Sequence, residues 1–209
     1  MSSRPSERRD VVLNVRGGAR ICVPEALGQI TPYVLLEQED WFEDEIRFAR
    51  RSLQPGMRVV DVGANYGVYT LAAARAVGRD GRVWAFEPTP ASAGYLERSL
   101  GLNEAASATL LRLAVSDHAG EVPFLLKGSP EENAVASDTG ASGAVGLPAA
   151  RLDDFAAEWG EVDFLKLDVE GHEAQAVAGG EALLSARSPL AMLEIRSGRE
   201  FNLGAPGRL

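Results

Sequence analysis

The chain has 209 residues, 45% of them hydrophobic and 24% charged, which excludes a disordered or fibrous protein and is enough for one domain with a substantial core. A formal net charge of −9, with the Lys and Arg residues scattered along the chain, argues against a nucleic-acid substrate. No apolar run approaches the roughly 20 residues of a membrane-spanning helix, the polar start MSSRPSERRD lacks a secretory h-region, and the lone Cys22 can form neither an internal disulfide nor a zinc cluster, so a cytoplasmic protein is expected.

Residues 11–35 alternate weakly around Gly17-Gly18 and predict a small β-hairpin. EDWFEDEIRFARRSL follows, with Phe42, Ile46, Ala49 and Leu53 at helical spacing, acids at its start and arginines at its end. Pro55-Gly56 stops this amphipathic helix. Residues 1–53 therefore predict a hairpin and a helix packed on a core formed by residues 54–209, the whole folding as one unit.

Strands and helices then alternate. The spacing predicts strands over 58–62, 82–86, 109–115, 162–167 and 190–195, a short extra strand over 121–126, and helices over VYTLAAARAV, PTPASAGYLERSLGLN and HEAQAVAGGEALL. Residues 128–146, rich in Gly, Ser and Ala, predict a mobile loop, and residues 151–159 a short helix. Apolar strands alternating with amphipathic helices imply an α/β, Rossmann-like domain, a mostly parallel sheet with helices on both faces.

In VVDVGANYGVYT, Gly63 and Gly67 fall in the turn after the first core strand, where a ligand would approach the backbone. Roughly 20 residues further, Glu87 in WAFEP stands where a carboxylate can accept hydrogen bonds from ribose hydroxyls. Two such features in register point to a nucleoside-type ligand rather than to a tight turn and a solvated acid. A dinucleotide fingerprint would need glycine where Asn65 and Val68 stand, so a nicotinamide-dependent oxidoreductase fits poorly. Gly63-x-Asn65-x-Gly67 after Asp61 suits a cofactor without phosphates, such as S-adenosylmethionine.

The pieces VVDVGANYGVYT, WAFEPTP, LAVSDHAGEVPF, RLDDF and VDFLKLDVEGHEAQAVAGG, in that order, resemble the FkbM-type methyltransferases over residues 54–195. The resemblance implies a class I methyltransferase fold, S-adenosylmethionine as methyl donor with S-adenosylhomocysteine as product, and transfer most commonly to a hydroxyl oxygen of a small molecule or glycan. It assigns cofactor contacts to Asp61, Gly63, Asn65, Gly67 and Glu87, with Ala64, Tyr69, Thr70 and Pro88 beside them, and places Ala114, Val115, Ser116 and Asp117 near the adenine. Only RSGREFNLGAPGRL follows Ile195, so strands six and seven of that fold are expected to be missing, and a truncated or non-catalytic S-adenosylmethionine-binding domain is an alternative. The fifth strand would then present an open apolar edge, to be covered by the tail or by a second copy in a homodimer.

LKLDVEGHE gathers Asp168, Glu170, His172 and Glu173 at the end of the fourth strand. Asp168 or His172 could take the acceptor's proton, and Glu170 could hold a substrate hydroxyl. His172 could equally be a surface residue, and Glu173 suits a helix N-terminus whatever the function. Lys166 and Glu194 interrupt neighbouring strands, and a buried lone charge needs a partner. The two could pair at the floor of the site, with Glu194 facing the substrate. Alternatively Asp168 and Glu194 could share a divalent metal, a reading not favoured because no third oxygen ligand is evident.

Overall fold

The computed structural model describes residues 10–26, 28–127, 133–136 and 143–194. Its first elements are β1 (Asp10–Val15) and β2 (Ala19–Pro24), the expected antiparallel hairpin, turning at Gly17 and Gly18. The hairpin ends earlier than the alternation predicts, because residues 30–38 form a helix, α1 (Ile30–Gln38). Pro32 is tolerated there because the first turn of a helix has no intrahelical use for its N–H. The next helix, α2 (Asp44–Ser52), starts after Phe42, which is exposed, whereas Ile46 and Ala49 are buried and Leu53 is the buried cap. Asp44 and Glu45 in its first turn and Arg50 and Arg51 in its last complement the helix dipole.

The main fold follows as β3 (Arg58–Val62), α3 (Val68–Val77), β4 (Arg82–Phe86), α4 (Pro90–Leu102) and β5 (Ala108–Leu111). A second set of strands comes next: β6 (Ala114–Val115), β7 (Gly120–Leu125), β8 (Ala134–Val135) and β9 (Ala144–Ala150). A 3-10 turn over Leu152–Phe155 leads into α5 (Ala156–Trp159), then β10 (Phe164–Leu167), α6 (Glu173–Ala178), α7 (Glu181–Arg187) and β11 (Leu190–Leu193).

β11, β10, β3, β4 and β5 form, in that spatial order, a parallel five-stranded sheet. Counting only these strands along the chain, the order is 3-2-1-4-5, as the class I fold requires. Alternation decides which helix covers which face. Val60, Val62, Phe86, Leu165 and Leu167 point to the side holding Leu152, Trp159, Ala176 and Leu183, where Trp159 stacks on Trp84 at 4.7 Å and on Phe155 at 4.8 Å. Val59, Val83 and Phe164 point to the other side, against Ala49, Leu53, Ala73 and Val77 of α2 and α3. The N-terminal hairpin packs on α4: Ser99 Oγ accepts from the Cys22 N–H at 2.9 Å, and Asn103 Oδ1 from the Arg20 N–H at 2.8 Å. Cys22 is buried, and burial pushes its thiol pKa up.

Three expectations need correction. The predicted third strand divides: β5 joins the central sheet, and after Leu113 the chain leaves it as β6 to pair with β9. The segment expected to be a mobile loop contains β8 and the start of β9, which pair with β7 in a separate four-stranded sheet; residues 128–132 and 137–142 lie outside the described residues. The single helix predicted after β10 is broken at Gly179-Gly180 into α6 and α7, Gly180 leaving the helical region, and the Gly179 backbone sits against the Ser116 carbonyl with no room for a Cβ. Among the described residues β11 pairs with β10 alone and leaves Leu190 and Leu193 exposed; the predicted covering tail falls outside those residues. No helix among the described residues is long and apolar enough to cross a membrane.

Candidate active site

A cleft of about 280 Å³ opens at the carboxyl ends of β3, β4 and β10, the crevice where open α/β sheets bind ligands. Its floor is the turn after β3. The Gly63 and Ala64 N–H groups donate to the Phe86 carbonyl at 3.0 and 2.9 Å, tying that turn to the end of β4. Gly63 has φ of +77°, and a Cβ there would overlap the Asp168 carbonyl oxygen. Gly67 has φ of +97°, and a Cβ there would meet Leu96 Cδ1 of α4 at 2.5 Å. Packing against the Asp168 backbone thus requires Gly63, and the left-handed backbone at Gly67 favours glycine there, independently of any ligand. Gly63→Ala is expected to lose about 2–5 kcal/mol of stability, combining left-handed backbone strain with overpacking. Urea unfolding measures this, and a midpoint like that of the wild type would refute it.

Glu87 is buried at the end of β4. Its Oε2 accepts from the Asn65 N–H at 2.9 Å, and its Oε1 from the Thr89 N–H at 2.9 Å and the Thr89 hydroxyl at 2.5 Å. Burial raises the carboxyl above the usual carboxylate range, against the bonds from Thr89 and Asn65 and the charge of Lys166. Oε2 still has a lone pair for a ligand hydroxyl. The Asn65 side-chain oxygen lies buried in the same wall with no hydrogen-bond partner among the described residues.

Lys166 is the buried cation of the site. Its register partner across the ladder is Asp61 of β3, so alternation brings the two side chains to one face. The Lys166 ammonium donates to the Gly63 carbonyl at 2.9 Å and lies 3.3 Å from Asp168 Oδ2 and 3.6 Å from Asp61 Oδ1. Asp61 Oδ2 accepts from the Thr70 hydroxyl at 2.6 Å. Burial opposes the charge on Lys166, yet Asp168, Asp61 and Glu194 outweigh it and hold the ammonium pKa above its ordinary value. The expected pairing of Lys166 with Glu194 is therefore corrected: its salt bridges are to Asp61 and Asp168. On β11 the register partner of Lys166 is Met192, two residues short of Glu194. Glu194 instead lies level with Asp168. Partial burial, the Asp168 charge and a hydrogen bond to Asp168, with a smaller push from Glu43, raise the Glu194 carboxyl to about 7.

The cleft brings together Gly63, Asn65, Glu87, Pro88, Ala114 and Val115 with Asp168, Glu170, His172 and Glu194. Asp61, Ala64, Gly67, Tyr69, Thr70, Ser116 and Asp117 do not line it. Glu170 stands in the left-handed region with φ of +55°. His172 is half-buried, its Nε2 3.0 Å from the Ser116 hydroxyl, and burial lowers its pKa, favouring a neutral imidazole. Glu173 Oε1 accepts from the Gly171 N–H at 2.7 Å just ahead of α6, a structural role. Among the described residues no group of three or more Asp, Glu, His or Cys side chains could hold a metal ion.

Two walls escape the sequence reading. Ile30, Thr31, Trp41, Phe42 and Glu43 come from the N-terminal segment, and Phe124, Asn133 and Val135 from the second sheet. The one local signal was the DWFE run, whose aromatic residues fall ahead of the helix they were counted into.

A family model for the methyltransferase FkbM domain matches residues 61–206. The chain belongs to the FkbM methyltransferase family. Among solved structures, the methyltransferase FkbM from Methylobacillus flagellatus KT is similar at 18% identity and a TM-score of 0.48, covering 71% of this chain and 39% of that one. The chain thus spans well under half the length of that relative. A precorrin-6y C5,15-methyltransferase from Geobacter metallireducens GS-15 is similar at 13% identity and a TM-score of 0.46, over 75% of this chain and 64% of that one. A SAM-dependent methyltransferase from Aquifex aeolicus is similar at 18% identity and a TM-score of 0.43, over 79% and 71%. No curated protein matches the chain. For this FkbM-family chain, Asp61, Gly63, Asn65, Gly67, Glu87 and Asp168 all lie within the matched domain, whereas Trp41, Phe42 and Glu43 precede it.

Proposed function

We propose that the protein is an S-adenosylmethionine-dependent methyltransferase that methylates a hydroxyl oxygen on a small molecule or glycan. The observation that carries this reading is the buried Glu87 carboxylate facing the cleft beside the glycine turn, tied to that turn by the Asn65 N–H. The donor set fits the cofactor: Glu87 for the ribose hydroxyls, Ala114 and Val115 as an apolar shelf for adenine, and the unpartnered Asn65 oxygen for the polar amino-acid end. Bound S-adenosylmethionine would supply an electrophilic methyl group on a sulfonium.

The chain's own residues would do the rest. Asp168, held by Lys166 and level with Glu194, takes or shares the proton of the acceptor hydroxyl. Glu170 and Glu194 orient that hydroxyl, and His172, whose pKa partial burial lowers, is the alternative proton acceptor. Trp41 and Phe42 give the cleft an aromatic wall. Calorimetry tests the cofactor reading. S-adenosylhomocysteine should bind and NADH should not, and the reverse would replace the methyltransferase with an oxidoreductase. In the same assay Glu87→Ala should weaken S-adenosylhomocysteine binding by about 1.5–3 kcal/mol, the cost of a charge-assisted hydrogen bond. Unchanged affinity in a folded variant would remove Glu87 from ribose recognition.

A further inference from the structure

We infer that Glu43, carried by the N-terminal segment outside the matched domain, is the binding partner of the cofactor's α-ammonium group. This rests on the cofactor reading above and extends it to a residue that no motif marks. Position is the first ground. Val115 packs with the core on one face of the central sheet and Tyr69 with the core on the other, while Glu87 ends β4 and the glycine turn follows β3 between them. A nucleoside with its ribose on Glu87 and its adenine on Ala114 and Val115 directs its amino-acid end the other way, past the glycine turn toward the face that carries Tyr69. Glu43 lines that end. Its Oε2 accepts from the Tyr69 hydroxyl at 3.0 Å, and the Tyr69 ring lies 5.2 Å from the Lys166 ammonium on β10.

Charge is the second ground. Among the described residues no Lys or Arg lines the cleft, and its acids differ in how they are engaged. Glu87 is held by Thr89 and Asn65, and Asp168 lies against Lys166 and hydrogen-bonds Glu194. Glu43 takes both of its bonds, from Tyr69 and from the Trp41 indole N–H at 2.7 Å, on Oε2. Those bonds fix the carboxylate against a wall of Trp41 and Phe42 and leave Oε1 without a protein partner among the described residues. A fixed carboxylate beside aromatic faces is the chemistry that recognises an ammonium ion. The N-terminal unit then completes the cofactor site of the FkbM domain.

The test is a two-by-two binding cycle by calorimetry. It pairs wild type and Glu43→Gln with S-adenosylhomocysteine and its analogue carrying hydrogen in place of the α-amino group. Glutamine keeps an oxygen for Trp41 and Tyr69 and removes only the charge. The wild type is expected to bind the desamino analogue about tenfold more weakly than S-adenosylhomocysteine, and Glu43→Gln to bind the two within about twofold of each other. Three results would overturn the inference: unchanged S-adenosylhomocysteine affinity in Glu43→Gln, an equal loss for both ligands, or a preference for the ammonium that survives the substitution. A wild type that binds no S-adenosylhomocysteine would bring down the cofactor reading itself, and this one with it.

Discussion

Lys166→Met is expected to destabilise the folded protein by about 3–5 kcal/mol, the usual cost of removing one partner from a buried ion pair. Lys166 and Asp61 are both buried, register partners across adjacent strands, and the ammonium also donates to the Gly63 carbonyl. Methionine would fill much of the volume but leave Asp61 with only the Thr70 hydroxyl, its Oδ1 already lacking a hydrogen bond. The loss therefore comes mainly from the stranded carboxylate, and adding Asp61→Asn should recover part of it. Denaturant unfolding of the single and double variants separates these terms. A loss below about 1 kcal/mol would mean that Asp61 is compensated by other groups.

The second large effect concerns chemistry. Asp168→Asn should lower methyl transfer by about 10²–10⁴-fold while leaving S-adenosylhomocysteine affinity nearly intact, the signature of a group that acts on the acceptor rather than on the cofactor. Lys166 retains Asp61 in this variant, so the fold should survive. A near-normal rate would move the proton-accepting role to His172 or Glu170. A further readout needs no acceptor. The Glu194 carboxyl is raised from 4.5 to about 7 by partial burial and by Asp168 beside it, so between these pH values the folded state holds a proton that the unfolded state has already released. The stability from that proton is fully present below about pH 4.5 and is lost as pH rises through about 7. Thermal unfolding across this window should show the decline in the wild type and a shallower one in Asp168→Asn, where the neighbouring negative charge is gone.

Much of this protein is determined locally. The apolar runs of β3 and β4, each bounded by turn residues, are legible as strands, and the glycine turn followed by Glu87 reads locally as a candidate ligand site. Asp168, Glu170 and His172 are close in sequence because one strand end carries them all. Tertiary structure decided what local pattern cannot encode. Lys166 chose Asp61 and Asp168 over Glu194 because strand register, set by the whole sheet, aligns Lys166 with Asp61 and Met192. The Gly- and Ala-rich stretch before Leu147 became strand because β7 offers it a ladder, a pairing between distant segments with little apolar signature of its own. Gly63 of the β3 turn proved to be demanded by the Asp168 backbone, a contact made only once β10 is in place. Trp41, Phe42 and Glu43 reach the cleft because α2 and α3 share one face of the sheet. Hydrophobic periodicity says that a segment will be buried; only packing says against what.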